Sequence, residues 1–179
     1  MSTDETKMTY LLVMSERAEF RPKRPVHADL EVRRVEIPCP EFNWFLDQVV
    51  GVDYRWGGRQ VWDRQRWSEY VNRRELETWV GYLRGTPVGY FELERQPDQS
   101  VQIERFGLGG AFIGQGLGSH LLTAAVERAW EMGAAQVWLS TCSHDHQHAL
   151  PNYTARGFKV VERTTSPPNS PRRSALFSA

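Results

Sequence analysis

The glycines at 107, 109, 110, 114, 116 and 118 lie between a strand-like run, Val101 to Leu108, and a run with the apolar stripe of a helix. Glycine lets the backbone turn tightly or left-handed and leaves its amides unshielded. Amides gathered at the start of a helix, where its dipole is positive, make a phosphate cradle. The spacing excludes two clients. Gly114-Gln-Gly116-Leu-Gly118-Ser119 lacks the glycine at 119 that a dinucleotide fingerprint requires, and no Gly-Lys-Ser/Thr follows as in a P-loop. A second cluster, His144, His146 and His148, alternates through Cys142-Ser-His-Asp-His-Gln-His148. Alternating ligands on a strand could share a face, yet this run enters a helix, and structural zinc sites use paired, well-separated ligands. We expect the histidines to line a ligand cleft, and no metal.

The elements that must position these residues follow from periodicity. Thr9 to Met14 reads as a first strand or a docking segment, and the charged, proline-bearing stretch Ser15 to Pro25 as a linker. Leu30, Val32, Val35 and Ile37 suggest a strand stopped by Pro38 and Pro40. Phe42, Phe45, Leu46, Val49 and Val50 recur at helical spacing, which predicts a helix burying that face and ending at Gly51. Trp67, Tyr70 and Val71 mark a second helix capped by Asp63. Thr78 to Leu83 and Val88 to Leu93 form a hairpin through Arg84 to Pro87. Val101 to Leu108 is the next strand, and Gly107, Gly109 and Gly110 suit a bulged end to it. Leu121, Leu122, Ala125, Val126, Ala129 and Trp130 give the long central helix its buried stripe, with Gly133 as its C-cap. A strand from Val137 to Cys142, a short helix from Ala149 to Arg156 and a strand from Phe158 to Val161 complete the order. The strand–helix–strand unit demands a parallel pair flanking the central helix.

Composition narrows the class. A chain of 179 residues makes one domain the default. Lys+Arg and Asp+Glu each number 22, so no global field favours nucleic acid or an anionic membrane. No apolar run approaches the roughly 18–20 residues of a spanning helix, and the first residues are too polar for a secretory signal. A cytoplasmic location is expected, with Cys39 and Cys142 reduced.

Gly116-Leu117-Gly118, followed by Ser119 and Leu121-Leu122, resembles the second half of the acyl-coenzyme-A loop of the GNAT N-acetyltransferase superfamily, Gln/Arg-x-x-Gly-x-Gly/Ala. Ile113 stands where the family has Gln or Arg. Ala149-Leu-Pro-Asn-Tyr153-Thr-Ala-Arg-Gly157-Phe158 resembles the family's Ala-x-x-x-Tyr-x-x-x-Gly-Phe element, and the hairpin at Gly85 to Gly89 its usual third strand. The resemblance runs from about Leu30 to Val161 and is strongest in the second half. It implies an α/β (α+β) fold: a GNAT-like mixed sheet, an antiparallel meander followed by a parallel strand–helix–strand unit. The whole chain would be one acetyltransferase domain, with residues 1–27 as an N-terminal extension or linker and 165–179 as a flexible tail.

The resemblance also implies a reaction. Acetyl-CoA is the cosubstrate, its pyrophosphate on the backbone of Ile113, Gly114, Gln115, Gly116, Leu117, Gly118 and Ser119. Its pantetheine arm lies along the strand ending at Leu108, whose N–H would stabilise the developing oxyanion. His146 takes the place of an asparagine that often touches that arm. Tyr153 matches the general acid, a phenol of pKa about 10 that can protonate a thiolate. The family often has a glutamate where this chain has Gln102, which cannot take a proton. Glu104, two residues on and on the same sheet face, is the candidate base, directly or through a water. The implied activity is direct transfer to a primary amine of a small molecule or peptide, in a protein that is often a homodimer. The tryptophans of the first two helices and their loop favour an apolar or aromatic acceptor. The Ile113 and Gln102 departures keep a second reading, a non-catalytic acyl-CoA-binding module.

Overall fold

The structure, a computed structural model, describes residues 7–23, 29–54 and 56–166. Among them are seven strands: β1 (Lys7–Met14), β2 (Leu30–Arg34), β3 (Leu76–Leu83), β4 (Thr86–Arg95), β5 (Val101–Leu108), β6 (Val137–Cys142) and β7 (Lys159–Ser166). Four α-helices accompany them: α1 (Pro40–Gly51), α2 (Arg64–Val71), α3 (Leu117–Glu131) and α4 (Ala149–Ala155). All strands join one sheet in the order β2-β3-β4-β5-β6-β1-β7. Pairing is antiparallel from β2 to β5, parallel between β5 and β6, and antiparallel on both sides of β1. This is the expected GNAT-like mixed sheet, with the parallel pair joined through α3.

The main core lies between the sheet and α3. Leu121, Leu122, Ala125, Val126 and Ala129 are fully buried against Leu12, Met14, Phe91, Leu93, Val101, Ile103 and Val137. Each such Leu or Val contributes about 1.5–3 kcal/mol over an exposed side chain. The helix ends as read, with Gly133 left-handed at φ 78° and its N–H bonded to the Trp130 carbonyl. Asp63 caps α2 by accepting from the Arg66 N–H at 2.8 Å. The β3–β4 turn narrows to Arg84-Gly85, both at positive φ (51° and 86°), the two-residue turn that matches strand twist.

Of the two readings for Thr9 to Met14, the structure has the strand, and an interior one. Leu11 to Met14 are all buried, and β1 separates β6 from β7, which are neighbours in sequence. The stretch that follows does not hang free. It makes a short 3-10 turn, Arg17–Glu19, and crosses the end of α4, where the Arg21 N–H bonds the Arg156 carbonyl at 3.0 Å. Gly157 allows that crossing: it sits at φ 109°, and a Cβ there would lie 2.0 Å from the Glu19 carbonyl oxygen. At the other end β7 runs on to Ser166, past the Val161 limit and into the expected tail. The rest of that tail, 167–179, lies outside the described residues, as do residues 1–6 and 24–27 of the expected N-terminal extension.

The face of α1 departs from the reading. Leu46 and Val50 are buried, but Phe45 and Val49 are each 42% exposed, while the polar Asn43 and Asp47 are buried at 1% and 2%. The helix is turned so that polar groups enter the interior, where they meet the site.

Candidate active site

The sheet opens between β5 and β6. The two strands pair only at Val101–Val137 and Gln102–Trp138, then part. At the same level β5 carries a bulge: Glu92 opposes Arg105 and Leu93 opposes Ile103, leaving Glu104 as the extra residue. A bulge resets which side each following residue faces. Ile103 packs in the α3-side core, Arg105 turns toward Asp47, and Phe106 returns to the core side against the Tyr153 ring, 5.9 Å between centroids. The irregularity is therefore at Glu104, not at Gly107 to Gly110, because β5 stays paired with β4 through Leu108. That close pairing needs Gly89, where a Cβ would lie 2.4 Å from the Gly107 carbonyl oxygen.

The ladder also fixes where the end of β5 points its amides. The Gly109 N–H bonds the Val88 carbonyl at 2.9 Å. Hydrogen-bonded pairs alternate along an antiparallel ladder, so Leu108, opposite Gly89, directs its N–H away from β4. Away from β4 is the side on which β6 has left.

The glycine loop closes one end of this opening. Gly114 (φ 82°) and Gly116 (φ 77°) are left-handed, and Gly116 stands at the N-cap of α3, where it has no side chain to cap the helix. The N-cap residue itself therefore leaves the first amides of α3 unmet, and amides in that position suit an anion. Ile113, Gly114, Gly116, Gly118 and Ser119 line a cavity of about 530 Å³. Gln115 and Leu117 do not. Gln115 donates to the Ala111 carbonyl at 3.1 Å, and the Leu117 side chain is buried beside Leu30 and Val88, so each offers the cavity its backbone at most.

From β5, Ile103, Glu104, Phe106, Gly107 and Leu108 line the same cavity, joined by Tyr153, Asn152 and Arg156 around α4, by His146 and His148, and by Tyr54 and Trp56. Glu104 and Tyr153 are thus brought together in one cavity, as the sequence reading required. Tyr153 is 6% exposed and packs edge-on to Phe106 and Phe158. The His146 ring meets Tyr54 at 6.2 Å and His148 at 5.1 Å. His144 is not part of the lining. No group of three His, Cys, Asp or Glu among the described residues is arranged to hold a metal ion. Among them, too, no helix is long and apolar enough to cross a membrane.

Beneath Glu104 lies a buried ionic network that the sequence reading missed. The Arg59 guanidinium donates to Glu92 at 2.9 Å and Glu104 at 3.4 Å, and lies 3.7 Å from Asp47. Arg105 donates to Asp47 at 3.2 Å and stands 3.6 Å from Glu104. Tyr70 and Asn43 donate to Glu92 at 2.6 and 3.1 Å, and Gln102 donates to Glu104 at 2.6 Å. Three carboxylates thus face two guanidiniums. Burial pushes the fully enclosed Glu92 up, but the Arg59 charge and the Tyr70 hydrogen bond outweigh it and hold the carboxyl below its ordinary value. Glu104 goes the other way: burial, aided by Glu92 and Glu94, lifts its carboxyl above the ordinary value despite Arg105 and Arg59. Its side chain, 16% exposed, reaches the cavity wall, and a carboxyl raised by burial in a cleft is the kind of group that can exchange a proton with a ligand.

Residues 36–158 match the model of the acetyltransferase (GNAT) family. The chain belongs to that family. GNAT proteins use acyl-CoA, and the fold agrees with solved GNAT structures. A GCN5-related N-acetyltransferase from Sphaerobacter thermophilus superposes with a TM-score of 0.68 at 16% identity, over 89% of this chain and 50% of that one. An aminoglycoside acetyltransferase from an uncultured soil metagenomic sample gives 0.62 at 16% identity, over 87% of this chain and 98% of that one. A tandem GNAT protein from the clavulanic acid biosynthesis pathway gives 0.61 at 14% identity, over 92% and 53%. The chain spans about half the length of the first and third of these. At such identities the likeness is one of fold. No curated protein matches the chain.

Proposed function

We propose that this GNAT protein is an N-acetyltransferase that moves the acetyl group of acetyl-CoA directly to a primary amine of a small molecule or peptide. The observation that carries the reading is the meeting of Glu104, its carboxyl lifted by burial, and Tyr153 in the cavity that the uncapped end of α3 also lines. In this reading the amides from Ile113 to Ser119 hold the pyrophosphate. The pantetheine arm lies along β5 where β6 has parted, with His146 beside it. The Leu108 N–H meets the thioester oxygen as negative charge develops there. Glu104 takes a proton from the incoming ammonium, directly or through a water. The neutral amine attacks the carbonyl, the C–S bond breaks as Tyr153 protonates the departing thiolate, and the proton shed by the acylated nitrogen restores the phenol.

Tyr54 and Trp56, which line the same cavity as Glu104, support an acceptor with an apolar or aromatic body. The test is release of free thiol from acetyl-CoA across a panel of aryl-alkyl amines, aliphatic polyamines, aminoglycosides and peptide N-termini. Turnover should be highest with an aryl-alkyl amine and should disappear with its N-acetylated product as acceptor. Binding of acetyl-CoA with no thiol release from any amine would instead favour a non-catalytic acyl-CoA-binding module.

A further inference from the structure

Arg156, at the end of α4, is half-buried, with part of its guanidinium enclosed by the fold and part at the wall of the cavity. Its Nε and Nη1 are shut off from solvent and meet no hydrogen-bond acceptor among the described residues. Burial also pulls its pKa below the ordinary arginine value. Those two nitrogens lie too deep for a ligand in the cavity to meet, so Nη2 is what the guanidinium offers there, and it makes no ion pair among the described residues. Arg156 lines the same cavity as the glycine loop, and a second cation lines it too. Lys23 is pinned there through its backbone. The Arg21 N–H bonds the Arg156 carbonyl at 3.0 Å, and the Lys23 N–H bonds Thr123 Oγ1 at 3.1 Å, one turn along α3 from Ser119. The acids of the cavity wall have other engagements. Glu104 faces Arg59 and Arg105, and Asp145 accepts from Thr141 Oγ1 at 2.5 Å and from the Cys142 N–H at 2.9 Å.

We infer that Arg156 and Lys23 form a second anion subsite of the cavity, apart from the amide cradle, that takes a phosphate monoester of the donor nucleotide. The inference rests on the acyl-CoA reading, and in coenzyme A that group is the 3′-phosphate of the ribose. The two subsites suit different anions. Backbone amides at a helix start carry partial charge and suit the diester oxygens of a pyrophosphate. A dianionic monoester is better met by full cations. Lys23 precedes residues 36–158, so the subsite depends on the segment that links β1 to β2 and not on the family-matched region alone.

Titration calorimetry of the full chain with CoA and with 3′-dephospho-CoA tests this, using the wild type, Arg156→Gln and Lys23→Gln. The wild type should bind CoA on the order of tenfold more tightly than dephospho-CoA. Arg156→Gln should bring the ratio close to one by weakening CoA, and Lys23→Gln, at an exposed position, should reduce it in part. Equal affinity of the wild type for both ligands, or variants that weaken both equally, would overturn the subsite while leaving the acyl-CoA reading in place. Binding of neither ligand would remove both. Should Arg156→Gln fail to fold, the wild-type ratio and Lys23→Gln still decide.

Discussion

Replacing Glu104 with glutamine should separate activity from stability in opposite directions. The variant keeps the shape of the side chain and an oxygen that can accept from Gln102, which lies at 2.6 Å in the parent. It loses the long contacts to Arg59 and Arg105, at 3.4 and 3.6 Å, but each guanidinium keeps a nearer carboxylate, Glu92 at 2.9 Å and Asp47 at 3.2 Å, so neither is left buried and unpaired. Against that stands the raised pKa, for which burial is the largest cause. A carboxyl whose pKa is higher folded than unfolded binds more protons in the folded state between those two values, so stability falls as pH rises through that window. Above the window each unit of elevation costs the fold about 1.4 kcal/mol, and the neutral amide escapes this. It also balances the network, leaving Asp47 and Glu92 against Arg59 and Arg105. The two effects together give an unfolding midpoint at pH 7.5 that is unchanged or higher by about 2–4 °C. Meanwhile kcat with the best amine should fall about 10²–10⁴-fold, and the acidic limb of the parent's kcat/KM profile, lying above the ordinary carboxylate range, should disappear. Thermal unfolding and steady-state thiol release on the same samples measure both. A midpoint lowered by more than about 4 °C would make Glu104 a structural member of the network. Undiminished turnover would refute its role as base.

Three further outcomes follow from single contacts. Tyr153→Phe keeps the ring packing against Phe106 and Phe158 and removes only the hydroxyl, so kcat should drop on the order of 10²-fold with little change in the KM for acetyl-CoA; equal turnover in stopped-flow thiol release would place the acid elsewhere. Gly157→Ala forces a side chain into the left-handed region and against the Glu19 carbonyl, and should cost about 3 kcal/mol in urea unfolding; a loss under about 0.5 kcal/mol would show that the crossing segment yields freely. Burial pushes the Glu77 carboxyl up, but hydrogen bonds from Arg128 at 2.8 and 2.9 Å and from Trp79 at 2.9 Å outweigh it, and the net pKa is lowered. Glu77→Gln should therefore destabilise by about 2 kcal/mol at pH 7. The gap to the wild type should close as pH falls from the ordinary carboxylate value through the lowered one, and a gap that stays constant with pH would rule out the charge as its source.

Elements governed by local rules were legible from the sequence. β6 has the bounds read for it, Val137 to Cys142, α2 starts at its Asp63 cap, and α3 stops just before the left-handed Gly133. Longer-range relations were not. Leu11 to Met14 are buried on both faces, Leu12 and Met14 in the α3-side core and Leu11 and Val13 with Trp138, while β6 and β7 pair along the two edges, and a continuous apolar run of that length cannot say which partners it will have. The end of β7, Arg163 to Ser166, has no apolar alternation and is held by pairing with Lys7 to Tyr10, so it reads as tail. The bulge at Glu104 is a register shift against β4, which no property of β5 alone encodes.

The face of α1 shows why the network beneath the site was the hardest part to read. An apolar stripe marks a helix's buried side when what it packs against is apolar. Here α1 lies over the part of the sheet where Tyr90, Glu92 and Arg105 face it, and burying Phe45 and Val49 would have left those polar groups without partners. Leaving a buried carboxylate or guanidinium unpaired costs more than exposing one apolar side chain. Asn43 and Asp47 therefore take the inward positions, bonding Glu92 and Arg105, and two large apolar residues go to the surface. The inversion has a chemical consequence. Asp47 and Glu92 draw Arg59 and Arg105 into the interior, and those guanidiniums in turn moderate Glu104. Without them, burial beside Glu92 would drive that carboxyl further up, and a base neutral at working pH cannot take a proton. The polar face of α1 is thus part of what keeps Glu104 able to ionise.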